Sequence, residues 1–176
     1  MSATGTFVTA INCMDGRTQE PIINFMKQRF KVDYVDMINE PGPVKALAGN
    51  DNLDFLKKLA DIELQVSRIK TAYTNKFENV MKAVTFAEVG EHEIAGNLVD
   101  IAILESIQKR MNISVNLHGS KVVAVVAHHD CAGNPVEKEK QIGQLDASLN
   151  TLKSWGFAVE YIKLWVNRNW QVQLIN

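Results

Sequence analysis

Short apolar runs bounded by polar, Gly or Pro residues recur along the chain and predict the strands of a sheet. The first two cover residues 6–12 and 32–38. Between them Ile22, Met26 and Phe30 recur at helical spacing, and Thr18 is a candidate cap for that helix. Residues 121–127 are an almost unbroken apolar run, which is typical of a strand covered by helices on both faces.

The last part of the chain continues the alternation of helices and strands. Residues 136–156 predict a helix that ends at Gly156, with its apolar positions facing inward: Ile142, Leu145, Leu149 and Leu152. Two further strands are predicted at 157–165 and 170–175, with a tight turn between them. The pattern predicts an α/β fold with three layers. We expect a mostly parallel central sheet of order about 2-1-3-4, a final antiparallel strand, and flanking helices.

The middle of the chain has strong helical patterning and almost no strand signal. One apolar stripe steps by three and four residues: Phe55, Leu59, Ile62, Val66, Ile69 and Tyr73. A second helix is predicted over residues 92–111. We interpret residues of about 45–115 as a helical insertion within a single domain of residues 1–176. Its stripe either covers the sheet or in part meets a partner subunit.

Composition narrows the class of protein only a little. A net charge of -1 gives no general attraction for nucleic acid or for an anionic membrane. No segment approaches the roughly 20 apolar residues of a membrane span, and no targeting pattern is visible, so a cytoplasmic location is expected. Two cysteines are too few for a disulfide scaffold, which favours reduced thiols.

Metal-binding residue types stand where predicted strands end. His128 and Cys131 are three residues apart after the apolar run, and Cys13 follows the first strand. If the first and third strands are neighbours, these side chains meet in one crevice at the edge of the sheet, together with Asp15 and Arg17. Thiolate and imidazole suit zinc, and three protein ligands leave one tetrahedral position open, as in catalytic zinc sites.

The two motifs "CMDGR", residues 13–17, and "HHDC", residues 128–131, resemble those of the β-class carbonic anhydrases, Cys-x-Asp-x-Arg and His-x-x-Cys. The resemblance implies a zinc lyase, usually dimeric, that reversibly hydrates carbon dioxide to bicarbonate with a zinc-bound hydroxide. It implies Cys13, His128 and Cys131 as metal ligands. Asp15 would orient the hydroxide while Arg17 holds Asp15; alternatively, Asp15 binds zinc and the arginine pair is broken.

The chain departs from the family pattern in places. Asn39 and Gly42 match the family's Asn-Ala-Gly-Asn loop only loosely, and Ala132 stands where glycine is common. His129 is interpreted as a neighbour of the metal site rather than a ligand. The tryptophans are interpreted as packing residues: Trp155, Trp165 and Trp170.

Two other functions stay open from the sequence. One is hydrolysis of a sulfur analogue of carbon dioxide, carbonyl sulfide or carbon disulfide. The other is a non-catalytic module in which zinc stabilises the fold and the helical middle binds a protein. We expect a homodimer or a higher homo-oligomer, with no nucleic acid or membrane partner.

Overall fold

The computed structural model describes residues 4–49, residue 84 and residues 92–176, with the backbone alone for residues 92–98. The strands are β1 (Phe7–Cys13), β2 (Tyr34–Glu40), β3 (Val122–His128), β4 (Glu160–Val166) and β5 (Val172–Ile175). The helices of the described residues are α1 (Gly16–Phe30), α2 (Pro43–Ala48), α3 (His92–Asn116) and α4 (Lys138–Ser154).

The five strands form one sheet of order β2-β1-β3-β4-β5. Strands β2, β1, β3 and β4 are parallel, and β5 pairs with β4 in the antiparallel direction. The register places Ile11 beside both Ile38 and Val125. The predicted α/β fold, strand order and antiparallel last strand are confirmed. As a consequence, β1 and β3 end side by side at one edge of the sheet.

Alternating side chains of the strands feed two apolar cores, one on each face of the sheet. Val8, Ala10 and Val126 pack on one face with Ile22 and Met26 of α1. On the other face, strand residues such as Ile11 and Val125 pack with residues of the remaining helices: Leu47, Ile107, Met111, Leu145 and Leu152. This two-sided burial accounts for the continuous apolar run of β3, all of which is buried.

Helix α1 begins earlier than its apolar spacing predicts. Asp15 is the N-cap, and its carboxylate accepts a hydrogen bond from the backbone N–H of Arg17. The prediction that Thr18 caps this helix is therefore wrong. Thr18 lies inside the first turn, where its hydroxyl donates to the Asp15 carbonyl at 2.8 Å. Aspartate is at least as good a cap as threonine, so the start of the helix is drawn back to the end of β1.

The segment after β2 contains a short helix, α2, which the sequence pattern did not indicate. Pro43 occupies its first position, where the missing N–H costs nothing. Gly42 precedes it in the left-handed backbone conformation, with φ 55°. The helix is buried and packs on α4, where Ser148 and Thr151 donate to its carbonyl groups at Val44 and Leu47.

Helix α3 confirms the second predicted middle helix and extends it to Asn116. The apolar stripe from Phe55 to Tyr73, and most of the predicted insertion, lie outside the described residues. Within the part of the chain that the structure describes, every helix is too short or too polar to cross a membrane.

Candidate metal centre

Three potential metal ligands meet where β1 and β3 end. Cys13 is the last residue of β1, His128 is the last residue of β3, and Cys131 follows in the next turn. Their ligand atoms all lie within 4.8 Å of one another, and all three residues are buried. The two Sγ atoms are 3.8 Å apart, and both cysteines are free thiols. The crevice expected from the order of the strands is therefore present, and these residues can hold a metal ion.

The turn after β3 brings Cys131 back beside His128. Asp130 adopts the left-handed backbone conformation, with φ 57°, which reverses the chain directly before the cysteine. The backbone N–H of Asn134 then donates to the Cys131 carbonyl at 3.1 Å and closes a second turn. Aspartate tolerates this conformation better than most residues. The local sequence therefore makes His-x-x-Cys a compact pair of ligands.

His128 has one ring nitrogen committed and the other available. Nδ1 lies 2.8 Å from the carbonyl oxygen of His129, so Nδ1 carries the proton that is donated there. Nε2 is buried and makes no hydrogen bond with any of the described residues. In the neutral ring Nε2 therefore keeps its lone pair. A buried polar atom without a partner is rare in native proteins, and this one fits a histidine that binds a metal through Nε2.

The three candidate ligands shift one another's pKa values. Hydrogen bonding from the Cys131 thiol, together with the proximity of the His128 imidazole and of the backbone amides of Gly42 and Asp15, outweighs burial and lowers the pKa of Cys13 well below that of an ordinary thiol. Burial lowers the pKa of His128, but its interactions with Cys13 and the His129 carbonyl and the charge of Asp15 together raise it. A metal ion would replace the protons of these groups.

Backbone amides surround the second sulfur as well. The contact with Cys13, followed by burial, raises the pKa of Cys131. The amides of Gly133 and Asn134 act in the opposite direction by donating to its sulfur. Each sulfur thus has two backbone amide donors, an arrangement that stabilises thiolates. Two such thiolates with one imidazole form a ligand set that zinc favours.

Asp15 and Arg17 form a bidentate ion pair beside the two cysteines. Arg17 Nη2 lies 2.6 Å from Asp15 Oδ2, and Arg17 Nε lies 3.0 Å from Oδ1. The hydrogen bonds from Arg17 are the main reason that the pKa of Asp15 is lowered to about 2. Asp15 is therefore a carboxylate at neutral pH. The same contact raises the pKa of Arg17.

Arg17 also touches two residues from other parts of the fold. Its Nη1 lies 3.2 Å from Asp130 Oδ2, and its guanidinium carbon lies 4.5 Å from the centre of the Trp170 ring. The sequence pattern did not indicate either contact, since Trp170 was interpreted as packing and Asp130 had no predicted role. Only the "HHDC" motif, which contains Asp130, pointed to this region.

The loop after β2, which matches the family's Asn-Ala-Gly-Asn loop only loosely, contributes to the candidate metal centre. Gly42 donates its backbone N–H to the sulfur of Cys13. Asn39 is the register partner of Asn12, one position before the pair Cys13 and Glu40. The Oδ1 atoms of both asparagines are buried and have no hydrogen bond with the described residues.

A cavity of about 310 Å³ borders the turn that carries Cys131. Its wall combines apolar residues, among them Ala132, Val136 and Trp165, with the polar residues His129 and Gln141. His129 is exposed and lies outside the group of three ligands. This position agrees with the interpretation of His129 as a neighbour of the site rather than a ligand.

Comparison with known protein families bears directly on this geometry. The family model described as "Putative carbonic anhydrase" matches residues 3–100 and residues 68–176, so the two matches together reach from residue 3 to residue 176. No curated protein and no solved structure matches the chain. The match includes both motifs and all five strands. The chain therefore belongs to this carbonic anhydrase family.

Proposed function

We propose that this protein is a zinc-dependent carbonic anhydrase that reversibly hydrates carbon dioxide to bicarbonate. The observation that carries the proposal is the convergence of Cys13, His128 and Cys131, whose ligand atoms lie within 4.8 Å of one another. The Asp15–Arg17 ion pair beside them supplies the charged groups that such a reaction uses. Membership of the family supports the same activity.

In this proposal Cys13, His128 and Cys131 hold the zinc ion. When bound, zinc would supply a water molecule acidic enough to act as hydroxide near neutral pH. Two thiolates cancel the double charge of the ion, so other residues must help to orient and stabilise the reacting groups. The amide donors on both sulfurs withdraw some of this negative charge.

Asp15 is the residue that we assign to orientation. Its carboxylate offers about four acceptor positions. Arg17 donates to Oδ1 from its backbone N–H and Nε, and to Oδ2 from Nη2 and, at 3.2 Å, from the same Nε. Because Nε lies closer to Oδ1, at 3.0 Å, than to Oδ2, at 3.2 Å, Oδ2 keeps the capacity to accept a further hydrogen bond from the nucleophile. Because the pKa of Asp15 is about 2, the group accepts and does not donate at neutral pH. A hydroxyl that donates to Asp15 has its oxygen lone pairs free to attack carbon.

Arg17 fixes the plane of the Asp15 carboxylate. Its fork binds both oxygens, which prevents the carboxylate from rotating toward another partner. In the state that the structure shows, Asp15 is engaged by Arg17. The alternative role, with Asp15 as a metal ligand, would require this pair to break.

The test is stopped-flow hydration of carbon dioxide by protein whose zinc content has been measured, at neutral and at alkaline pH. We expect saturable hydration above the uncatalysed rate, and its loss when zinc is removed. Full zinc occupancy with background rates at both pH values would refute the proposal. Assays with carbonyl sulfide and carbon disulfide would then separate a hydrolase of a sulfur analogue from a zinc-stabilised binding module.

The organisation as one domain, the cytoplasmic location and the assembly into a homodimer or higher homo-oligomer stay predictions. Light scattering coupled to size-exclusion chromatography measures the mass of the particle, and limited proteolysis measures whether the chain behaves as one unit.

A further inference from the structure

Arg17 is held by three groups that use different parts of its guanidinium. Nε and Nη2 face Asp15, whereas Nη1 lies 3.2 Å from the carboxylate of Asp130. The two carboxylates therefore bind different nitrogens, and the backbone carbonyl of Asp130 accepts a longer hydrogen bond from Nη2 at 3.4 Å. The face of the guanidinium is covered by Trp170, whose ring centre is 4.5 Å from the guanidinium carbon, a cation–π distance.

The backbone conformations of the two outer partners are unusual. Three non-glycine residues of the described chain have positive φ: Lys31, Asp130 and Trp170. Lys31 is explained by its place as the C-cap of α1. Asp130 and Trp170 lie instead in the turns that follow β3 and β4, and both contact Arg17. For a residue as large as tryptophan this conformation is a true outlier, and such outliers cluster at functional sites.

The hairpin between β4 and β5 is built to hold Trp170 in that conformation. The side chain of Asn167 accepts hydrogen bonds from the backbone N–H groups of Asn169 and Gln171 at 2.9 and 3.1 Å. The backbone N–H of Trp170 donates to the Asn167 carbonyl at 2.9 Å. Asn167 thus stabilises the turn through its side chain and its carbonyl. The turn places the ring of Trp170 against α1, which is distant from it in the sequence.

We propose that Trp170 and Asp130 are positioning residues that keep Arg17 engaged with Asp15. The side chain of Arg17 is 47% exposed, so water competes for its N–H groups. An exposed ion pair is weak by itself. The ring of Trp170 on the face of the guanidinium and the carboxylate of Asp130 at its edge reduce the number of alternative conformations that Arg17 can adopt. The link to catalysis rests on the proposed function, but the contact itself does not.

The contact is tested by nuclear magnetic resonance on the zinc-loaded protein, with Arg17→Lys used to assign the Arg17 Nε–H signal. In the native protein we expect that signal to be shifted by the ring current of Trp170 and protected from exchange with water. In Trp170→Leu the shift should be lost, and exchange should become about two- to fivefold faster. Trp170→Phe, which keeps an aromatic face, should restore part of both effects.

Trp155→Leu is the matched control, because Trp155 lies at the end of α4 and packs in the core on the other face of the sheet. It should leave the Arg17 signal unchanged. If Trp170→Leu does not fold, Trp170→Met keeps most of the apolar volume without a ring and takes its place. A folded variant without the ring, whose Arg17 signal has the native shift and exchange rate, would overturn the proposal.

Activity separates this inference from the function on which its consequence rests. If both are right, kcat falls in Trp170→Leu by about the same two- to fivefold, with KM and zinc content unchanged, because orientation of Asp15 acts in the transition state. A native protein without hydration activity refutes the proposed function while the Arg17 signal still tests the contact. Native activity with an unaltered Arg17 signal in Trp170→Leu refutes only the positioning role.

Discussion

The backbone of Gly133 lies directly against the backbone of Gly42. A Cβ added to Gly133 would lie 2.6 Å from the nitrogen of Gly42 and 2.8 Å from the carbonyl carbon of Pro41. The same two glycines donate backbone N–H groups to the two sulfurs, Gly42 to Cys13 and Gly133 to Cys131. Contact between the loops after β2 and β3 therefore sets the positions of the amides around the candidate metal centre.

We predict that Gly133→Ala destabilises the protein by about 1–3 kcal/mol, because the new methyl group meets the backbone of Pro41 and Gly42 and one of the two loops must move. Zinc affinity should fall as well, since the amides of both loops shift. The free energy of unfolding in urea and a zinc competition titration measure the two effects. Gly143→Ala is the control: apart from the adjoining backbone of its own helix, no atom of the described residues lies within 4 Å of the added Cβ. Inside α4 that change should be neutral or stabilise by up to about 1 kcal/mol. Equal stability of the two variants would contradict the prediction.

Asp15→Asn should lower kcat/KM for hydration by about 10- to 100-fold while zinc stays bound at the native ratio. Asparagine caps a helix as well as aspartate does, so α1 should remain stable. What is lost is the charged acceptor and its bidentate pair with Arg17. Asp33→Asn, which makes the same chemical change at the start of β2, should retain native activity. Native activity in Asp15→Asn would exclude the role that we assign to this carboxylate.

Removal of zinc with a chelator should lower the thermal midpoint of unfolding. A metal present at 100 times its dissociation constant stabilises the folded state by about 2.7 kcal/mol. In Cys13→Ser the chelator should have little effect, because one of the three ligands is missing. Differential scanning calorimetry with and without chelator, on both proteins, checks the expectation. A native protein whose unfolding is the same in both conditions would show that zinc is not bound by the folded state.

Asp33 should make the free energy of unfolding depend on pH. It lies where β1 and β2 begin, at the end of the sheet opposite to the candidate metal centre. Its carboxylate accepts hydrogen bonds from the backbone N–H and hydroxyl of Thr6, at 2.8 and 2.9 Å, and these bonds lower its pKa. A lowered pKa in the folded state means that the stabilisation is present above the unfolded pKa of about 3.9 and is lost as pH falls through the folded value. The native protein should therefore be more stable than Asp33→Asn at pH 7.

Urea unfolding of both proteins across the acidic range measures this difference, which should shrink below about pH 4 and disappear at lower pH. In Thr6→Val the hydroxyl donor is removed and the backbone donor stays. Its loss of stability relative to the native protein at pH 7 should therefore be smaller than that of Asp33→Asn. A gap between the native protein and Asp33→Asn that is constant from pH 7 to acid would contradict the assignment.

The sequence by itself determined the class of fold, because apolar periodicity reports how each segment is buried. The continuous apolar run of β3 implied helices on both faces, and this burial is what the structure has. Cys13, His128 and Cys131 were placed together by residue type and strand order, since the ends of neighbouring parallel strands share an edge.

Local boundaries were less predictable from the sequence. Asp15 caps α1, so the helix begins before Thr18. Helix α2 has only six residues, which are too few to show a helical period of apolar positions. Both effects depend on single side-chain or backbone conformations, which periodicity does not report.

Only the tertiary structure decided which residues surround Arg17 and which loops touch. Trp170 and Asp130 both contact Arg17 although they lie more than 100 residues from it in the chain, and Gly42 meets Gly133 across the crevice. Such contacts depend on left-handed turns and on the distance between loops, and no pattern of apolar and polar residues encodes them. The sequence supplied the three candidate metal ligands, and the packing of the loops determines how those residues and their charged neighbours are held.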